Sequence, residues 1–286
     1  MIRVILQGGL GNQMFEYAAA YTTARRLNEP LVIDTSFFDV YNNREWCRPY
    51  ELNIFRLNEQ LTFVCGNKWE VKILPKIAQW CRKHEKPNVG KYVFLPSELR
   101  LKEQVLFGYF PDYRLFESYR EDLLQAFIFR TPANVENRRI IREIERCESV
   151  AIHIRRGDYL TGNNADIFWH PTIEWYNQAI KIIEQTIPEP QYFIFSDDVV
   201  WAREQFGDME NALLVNINEG SESYNDLRLM SYCKHNIIAN SSFSWWGAWL
   251  NTNPNKIVVA PAQYYIDDAA NIRYRESMLP QEWIRL

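Results

Sequence analysis

The 286-residue sequence carries only five cysteines, Cys47, Cys65, Cys81, Cys147 and Cys233, and no C-x-x-C pair. An odd number at wide spacing suggests neither a disulfide framework nor a thiolate zinc site, and reduced thiols are the simplest reading. No run approaches the ~20 apolar residues of a membrane helix. The opening strand-like run 1–6 breaks at Gly8 and Gly9, so the N-terminus holds no signal-peptide core. The chain is therefore expected in the cytoplasm, at most peripheral at the inner membrane face. Positive charge is also short. With 32 Lys plus Arg against 36 Asp plus Glu the formal net charge is −4, which argues against a nucleic-acid partner, since neutralising a phosphate backbone needs a basic footprint. Any phosphate affinity must be local. Asp-x-Asp, a common spacing for a cation that bridges a sugar-nucleotide diphosphate, is absent. So are internal repeats and low-complexity tracts.

What the sequence has is hydrophobic and aromatic substance: 47% hydrophobic residues, with 10 Trp, 16 Tyr and 16 Phe. That excludes a disordered chain and supplies a full core for one large or two ordinary domains. The first 34 residues read as a βαβ unit. A short apolar strand meets the turn Gln7-Gly-Gly-Leu-Gly-Asn-Gln13, a helix follows over 13–27 with Met14, Tyr17, Ala18, Tyr21, Ala24 and Leu27 on one face, and Leu31–Asp34 is a second strand. An amphipathic stretch at 68–82 and strands at 61–65, 91–95 and 104–108 complete an α/β N-terminal half. Helical spacing recurs over 113–127 and 132–146; Thr131 is the expected cap of the second helix, which is the candidate linker between halves. Beyond it, apolar runs at 150–154, 192–195, 213–217, 236–239 and 257–260 alternate with helical segments near 172–186, 199–206, 222–233 and 242–251. Such alternation predicts a parallel doubly wound sheet, with ligands beyond the carboxyl ends of its strands.

Four segments could carry chemistry. Gly9 and Gly11 between a strand and a helix would let a ligand approach backbone N–H groups. A dinucleotide reading using Asp34 is open there, but Met14 stands where the third glycine of G-x-G-x-x-G belongs. His153-Ile-Arg155-Arg156-Gly-Asp158-Tyr leaves the most apolar strand and would gather cationic charge at the sheet's mouth. The alternative is an Arg–Asp158 ion pair that only closes the loop. Ser196-Asp197-Asp198 precedes a helix and could cap it or accept hydrogen bonds from a guanine edge or ribose. Asn240-Ser241-Ser242, before Trp245, Trp246 and Trp249, sets hydroxyls and helix-start N–H groups toward an anion, with Trp245 or Trp246 behind it. Its match to a glycosylation sequon is empty without a leader.

Gly8-Gly9-Leu10-Gly11-Asn12-Gln13-Met14-Phe15-x-Tyr17-Ala18, His153-Ile-Arg155-Arg156-Gly-Asp158-Tyr159, Phe195–Asp198 and Asn240–Trp246, with Gly108-Tyr109-Phe110 between, closely resemble in order the motifs of bacterial α-1,2-fucosyltransferases of glycosyltransferase family 11. The resemblance spans residues 7–249. It implies two Rossmann-like α/β domains in a variant GT-B architecture, GDP-β-L-fucose as donor, a galactose-terminated oligosaccharide as acceptor, and inversion with no metal and no cofactor. The expected domains are 1–148, on the acceptor side, and 149–286, binding the donor. Arg155, His153 and Asp158 are the catalytic candidates. Arg156, Ser196, Asp197, Asp198, Asn240, Ser241 and Ser242 would hold the donor, and Gly9, Gly11, Asn12 and Gln13 the acceptor or fucose side. Asp158 and Glu16 are the carboxylates considered as base; Glu16 stands where many relatives have Gln. Rival readings are a GDP-fucose transferase of other linkage (protein O- or α-1,6-type), an NAD-dependent oxidoreductase and a non-catalytic sugar-nucleotide binder.

Overall fold

Strands buried along their whole length, such as β2 (Leu31–Asp34) and β6 (Gln104–Leu106), need cover on both faces and so pair parallel around helical crossovers. In the computed structural model, which describes residues 1–44, 46–57, 62–64, 66, 68–95, 103–161 and 164–286, the chain divides into two units, Met1–Thr131 and Pro132–Leu286. In the first, β1 (Ile2–Ile5) lies between β2 and β6. The sheet continues through β3 (Thr62–Val64) at one edge and β5 (Tyr92–Val93) and β4 (Asn88–Val89) at the other, in the order β3-β2-β1-β6-β5-β4. All pairs are parallel except the β4–β5 hairpin. Helix α1 (Leu10–Leu27) is buried almost all round, as a helix carrying this many apolar residues must be. It stops at Asn28, a left-handed cap at φ 52° whose N–H closes on the Ala24 and Arg25 carbonyls. Helices α2 (Ser36–Tyr41) and α3 (Lys68–Lys83) pack on one another. Of the expected strand 61–65, residues 61 and 65 lie outside the described part, and Cys65 with them.

The second unit carries β7 (Glu148–Ile154), β8 (Pro190–Ser196), β9 (Ala212–Val215), β10 (His235–Ile237), β11 (Val258–Ala260) and β12 (Ile284–Arg285) in the order β9-β8-β7-β10-β11-β12, every pair parallel. The period-two alternation of β7 and β8 divides the core. Val150, Ile152, Ile154, Tyr192 and Ile194 pack on α6 (Ile173–Glu184) and α7 (Val199–Phe206). Ala151, Phe193 and Phe195 pack on α5 (Val135–Glu145) and α8 (Tyr224–Tyr232). Helices cover both faces, and the strand order is the 3-2-1-4-5-6 of dinucleotide-binding sheets, reversing between β7 and β10.

Three expectations are corrected. The helix expected from Thr131 begins at Val135, because the Asn134 side chain accepts the Asn137 N–H at 2.8 Å and is the cap. That helix packs on α8 and β7 and so belongs to the second unit, which puts the division at 131/132 and not at 148/149. Residues 113–127 are not one helix. Two 3-10 turns, Tyr113–Leu115 and Glu117–Tyr119, precede α4 (Arg120–Ala126), since Asp112 takes the Arg114 N–H at 3.1 Å and pairs with its guanidinium at 2.7 Å, closing a tight turn.

Candidate functional site

In a sheet of this order the crevice for a ligand opens beyond the carboxyl ends of the two strands at the reversal. Here those ends are the loops after β7 and β10, the Arg155–Tyr159 and Asn240–Ser242 segments. Register brings a third loop alongside, since Ile154 pairs with Ser196 at the end of β8. The Asp197 carboxylate accepts the Arg156 N–H at 2.8 Å and the Gly157 N–H at 3.2 Å, and meets the Arg155 guanidinium at 3.1 Å. A Cβ at Gly157 would sit 2.9 Å from that carboxylate, so the glycine permits the approach. Asp198 caps α7 through the Trp201 N–H, and its other oxygen meets Arg156 at 3.2 Å, while the Arg156 guanidinium lies 4.3 Å from the Trp201 ring. Ser196 closes this turn, its hydroxyl bonded to both the N–H and the carbonyl of Asp198.

Tyr159 ties the β7 loop to the β10 loop, donating to the Asn240 carbonyl at 2.9 Å, and its hydroxyl also meets that of Tyr264, beyond β11, at 3.3 Å. The Asn240 amide donates to the carbonyls of Trp169 and Tyr264. Four loops at one end of the sheet are thus laced together, with two guanidiniums 20–25% exposed at their mouth. Ser241 caps α9 (Ser242–Leu250) through the Phe243 N–H, and Ser242 opens its first turn, half-buried.

His153, 6% exposed, has no partner for its Nδ1. Burial, with Arg155 beside it, pulls its pKa down to about 3. It is a neutral imidazole at pH 7 and adds no positive charge, contrary to the expectation that it stabilises a diphosphate electrostatically. Asp158 begins a 3-10 turn, Asp158–Leu160, and its side chain lies outside the described part. The Arg–Asp158 loop closure therefore lies outside the described residues; among them the two arginines pair as Arg155–Asp197 and Arg156–Asp198. Asn240 is 1% exposed and acts first as a structural tie, although its Oδ1 is buried without a partner. Trp245, Trp246 and Trp249 are all buried and packed on one another, so Trp249 is not set apart from the other two. Tyr159, Trp201 and Tyr264 were missed. Tyr159 follows Asp158 in the motif, and Trp201 is three residues past Asp198, the spacing of a capped first turn; Tyr264 left no signal.

The glycine loop of the first unit is different. Gly8 needs its φ of +72°, and a Cβ there would meet Asn12 at 2.9 Å and the Tyr109 ring at 3.0 Å. The α1 N-terminus is already occupied, because Glu51 accepts the Leu10 N–H at 2.9 Å. Gln13 is fully buried, donating to the Gly8 and Pro49 carbonyls and accepting the Glu51 N–H, so its expected place on the sugar side is not available to it. Asp34 is fully buried too, accepting the Ser36 and Gly66 N–H groups, which removes the dinucleotide reading. Glu16 accepts the Gln7 N–H at 2.9 Å in full burial, which holds its carboxyl well above the ordinary range. With no exposed atom it is not placed to take a proton from a sugar. Gly9 is the N-cap of α1, Gly11 lies in its first turn, and Asn12 alone of the four proposed residues keeps a half-buried amide.

The family model described as glycosyl transferase family 11 matches residues 91–286. The chain belongs to glycosyl transferase family 11. It is 38% identical to the O-antigen biosynthesis glycosyltransferase WbnK of Escherichia coli over 98% of this chain and 99% of that one. It is 31% identical to an alpha-1,2-colitosyltransferase of the same organism over 98% and 97%. A galactoside alpha-(1,2)-fucosyltransferase 2 of Hylobates lar is 24% identical over 85% of this chain and 67% of its own. Among solved structures, the NodZ alpha-1,6-fucosyltransferase soaked with GDP-fucose shares the fold at a TM-score of 0.54 and 14% identity, covering 87% of this chain and 92% of that one. This family 11 chain is a glycosyltransferase of α/β, GT-B-like architecture.

Proposed function

We propose that this transferase moves L-fucose from GDP-β-L-fucose to the 2-hydroxyl of a terminal β-galactoside, inverting the anomeric carbon, with no metal and no dissociable cofactor. The observation that carries the reading is the pair of arginines beyond β7, held by Asp197 and Asp198 at the strand-order reversal opposite Asn240–Ser242. GDP is a good leaving group, so the barrier is lowered most by cationic donors fixed where diphosphate charge develops. A guanidinium presents five N–H donors in a rigid fork that matches phosphate as well as carboxylate. Arg155 and Arg156 would meet the diphosphate, with the Ser241 and Ser242 end of α9 completing the anion site. Asp197 and Asp198 act first as positioning residues that hold the two forks ready, and Asn240 keeps one buried acceptor. Neutral His153 offers one nitrogen without charge.

Similarity to galactoside α-1,2-fucosyltransferases supports the linkage and the acceptor class. A second reading has its own support: the 31% identical relative is named for colitose, the 3-deoxy counterpart of fucose. Purified protein offered GDP-fucose and GDP-colitose in parallel, against lactose, N-acetyllactosamine and Gal-β-1,3-GalNAc with linkage analysis of products, decides between them. Turnover with GDP-fucose into an α-1,2 linkage is the expected result. Exclusive use of GDP-colitose selects the second reading, and an α-1,6 product overturns both.

A further inference from the structure

Helix α3 of the first unit shows an unusual outer face. Its inner stripe, Val71, Leu74, Ala78 and Cys81, is buried, and Glu70 fastens the helix to β1 through Arg3 at 2.5 Å. With that face fixed inward, Trp69, Ile73 and Trp80 stand outward at 74%, 51% and 50% exposure. At 3.6 residues per turn these three lie within about 40° of one another around the axis, one apolar line along the helix. Lys68, Lys72, Lys76 and Lys83 run beside it, all exposed, and the Lys72 ammonium sits 5.5 Å from the Trp69 ring. The helix has five basic residues and one acid, and that acid is the one paired with Arg3. A chain of net charge −4 thus concentrates cations on one face.

We infer that α3 docks the protein on an anionic lipid bilayer, lying in the interface with its apolar line turned into the headgroup boundary. Tryptophan suits that depth because its ring is apolar and its N–H is polar. Lysine stems extend along apolar surface while the ammonium reaches phosphate, which is the chemistry of interfacial amphipathic helices. The charge complementarity selects a negative surface, since exposed Trp and Ile alone would serve any apolar partner. Among the described residues no helix is long and apolar enough to cross a membrane, so the contact is peripheral. For a glycosyltransferase such a contact would hold the enzyme where lipid-linked glycans are exposed.

The test is co-sedimentation of the full chain with sucrose-loaded vesicles of phosphatidylcholine alone or mixed with phosphatidylglycerol, alongside the double variants Trp69→Ser/Trp80→Ser and Lys72→Glu/Lys76→Glu. Wild type is expected in the pellet with the mixed vesicles only, and to leave it as salt is raised. Each lysine near an anionic surface is worth about fivefold in partition, so the Lys→Glu pair should lower binding by more than tenfold. Loss of the two tryptophans should do the same with the melting temperature and turnover on a soluble acceptor unchanged. Wild-type protein that stays in the supernatant overturns the inference, as does undiminished binding of both variants. A wild-type dimer by light scattering that the Trp variant converts to monomer, without vesicle binding, assigns the face to a second copy and overturns it equally.

Discussion

The two units place a conspicuous loop at the same topological position, beyond a central parallel strand where the strand order reverses, and they differ in what that loop leaves at the surface. In the first unit the Gly8–Gln13 turn is closed on itself, with Glu51 on the helix start, Gln13 bonded on both sides of its amide, and Asp34 and Glu16 buried under backbone N–H groups. In the second, the Arg155–Gly157 turn is held by carboxylates but keeps charged atoms at the surface, beside a buried His153 ring nitrogen and a buried Asn240 amide oxygen that have no hydrogen-bond partner. Glycine content does not make a binding loop. What separates the two is whether charged groups reach the surface: Asp34 and Glu16 are fully buried, whereas the Arg155 and Arg156 guanidiniums are 20–25% exposed.

The largest effect expected follows from that contrast. Arg155→Ala should lower turnover by about 10²–10³, or roughly 3–4 kcal/mol, the cost of one cationic donor removed from a preorganised site. Lysine should restore only part, lacking the planar fork. GDP release assayed with GDP-fucose and lactose reads this, and alanine activity within threefold of wild type would erase the difference between the loops. On the other side, Gln13→Ala should cost stability, about 2–4 kcal/mol in urea titration for three lost internal hydrogen bonds. Asn12→Ala should cut turnover by about tenfold, close to 1.4 kcal/mol, with GDP affinity by calorimetry within a few-fold.

The buried titratable groups sharpen the comparison with slopes of opposite sign. His153 titrates near pH 3 in the folded chain against an ordinary 6.5, so the unfolded chain takes up a proton first and stability falls as pH drops from 6.5 toward 3, by roughly a few kcal/mol. His153→Gln should flatten that acid limb in urea midpoints. Glu16, raised above its ordinary value of 4.5, stabilises the fold below that pH and loses the contribution as pH rises toward its folded value. Glu16→Gln keeps the acceptor for the Gln7 N–H and should remove the alkaline loss with little change, on the order of 1 kcal/mol, at pH 5. The smallest effect is none at all: under the proposed reading the two guanidiniums would take the place of a bridging cation, and EDTA should leave turnover unchanged.

Much of this was legible in the sequence because the strand–helix alternation of 150–260 obeys local rules. Apolar β-branched runs make buried strands, amphipathic stretches make helices, and the right-handed crossover then leaves few topologies. The motif loops fell at strand ends for the same reason. The pairing inside the site was not legible. Arg155 meets Asp197, 42 residues on, because β7 and β8 are adjacent in register, a tertiary fact that residue spacing does not carry. Helix starts failed where a cap decided them: Asn134 captures the α5 start from Thr131, and Asp112 turns back the chain before α4. The neutrality of His153 came from burial, which its place in a cationic motif had concealed.

Hydrogen–deuterium exchange on the full chain with and without GDP tests the central claim most directly, since it reports on both loops at once. The account predicts protection in peptides covering 153–160, 195–199 and 239–243, with residues 6–16 unchanged. Protection confined to 6–16, with the arginine loop exchanging as in the free protein, would make the glycine turn the nucleotide cradle and contradict it.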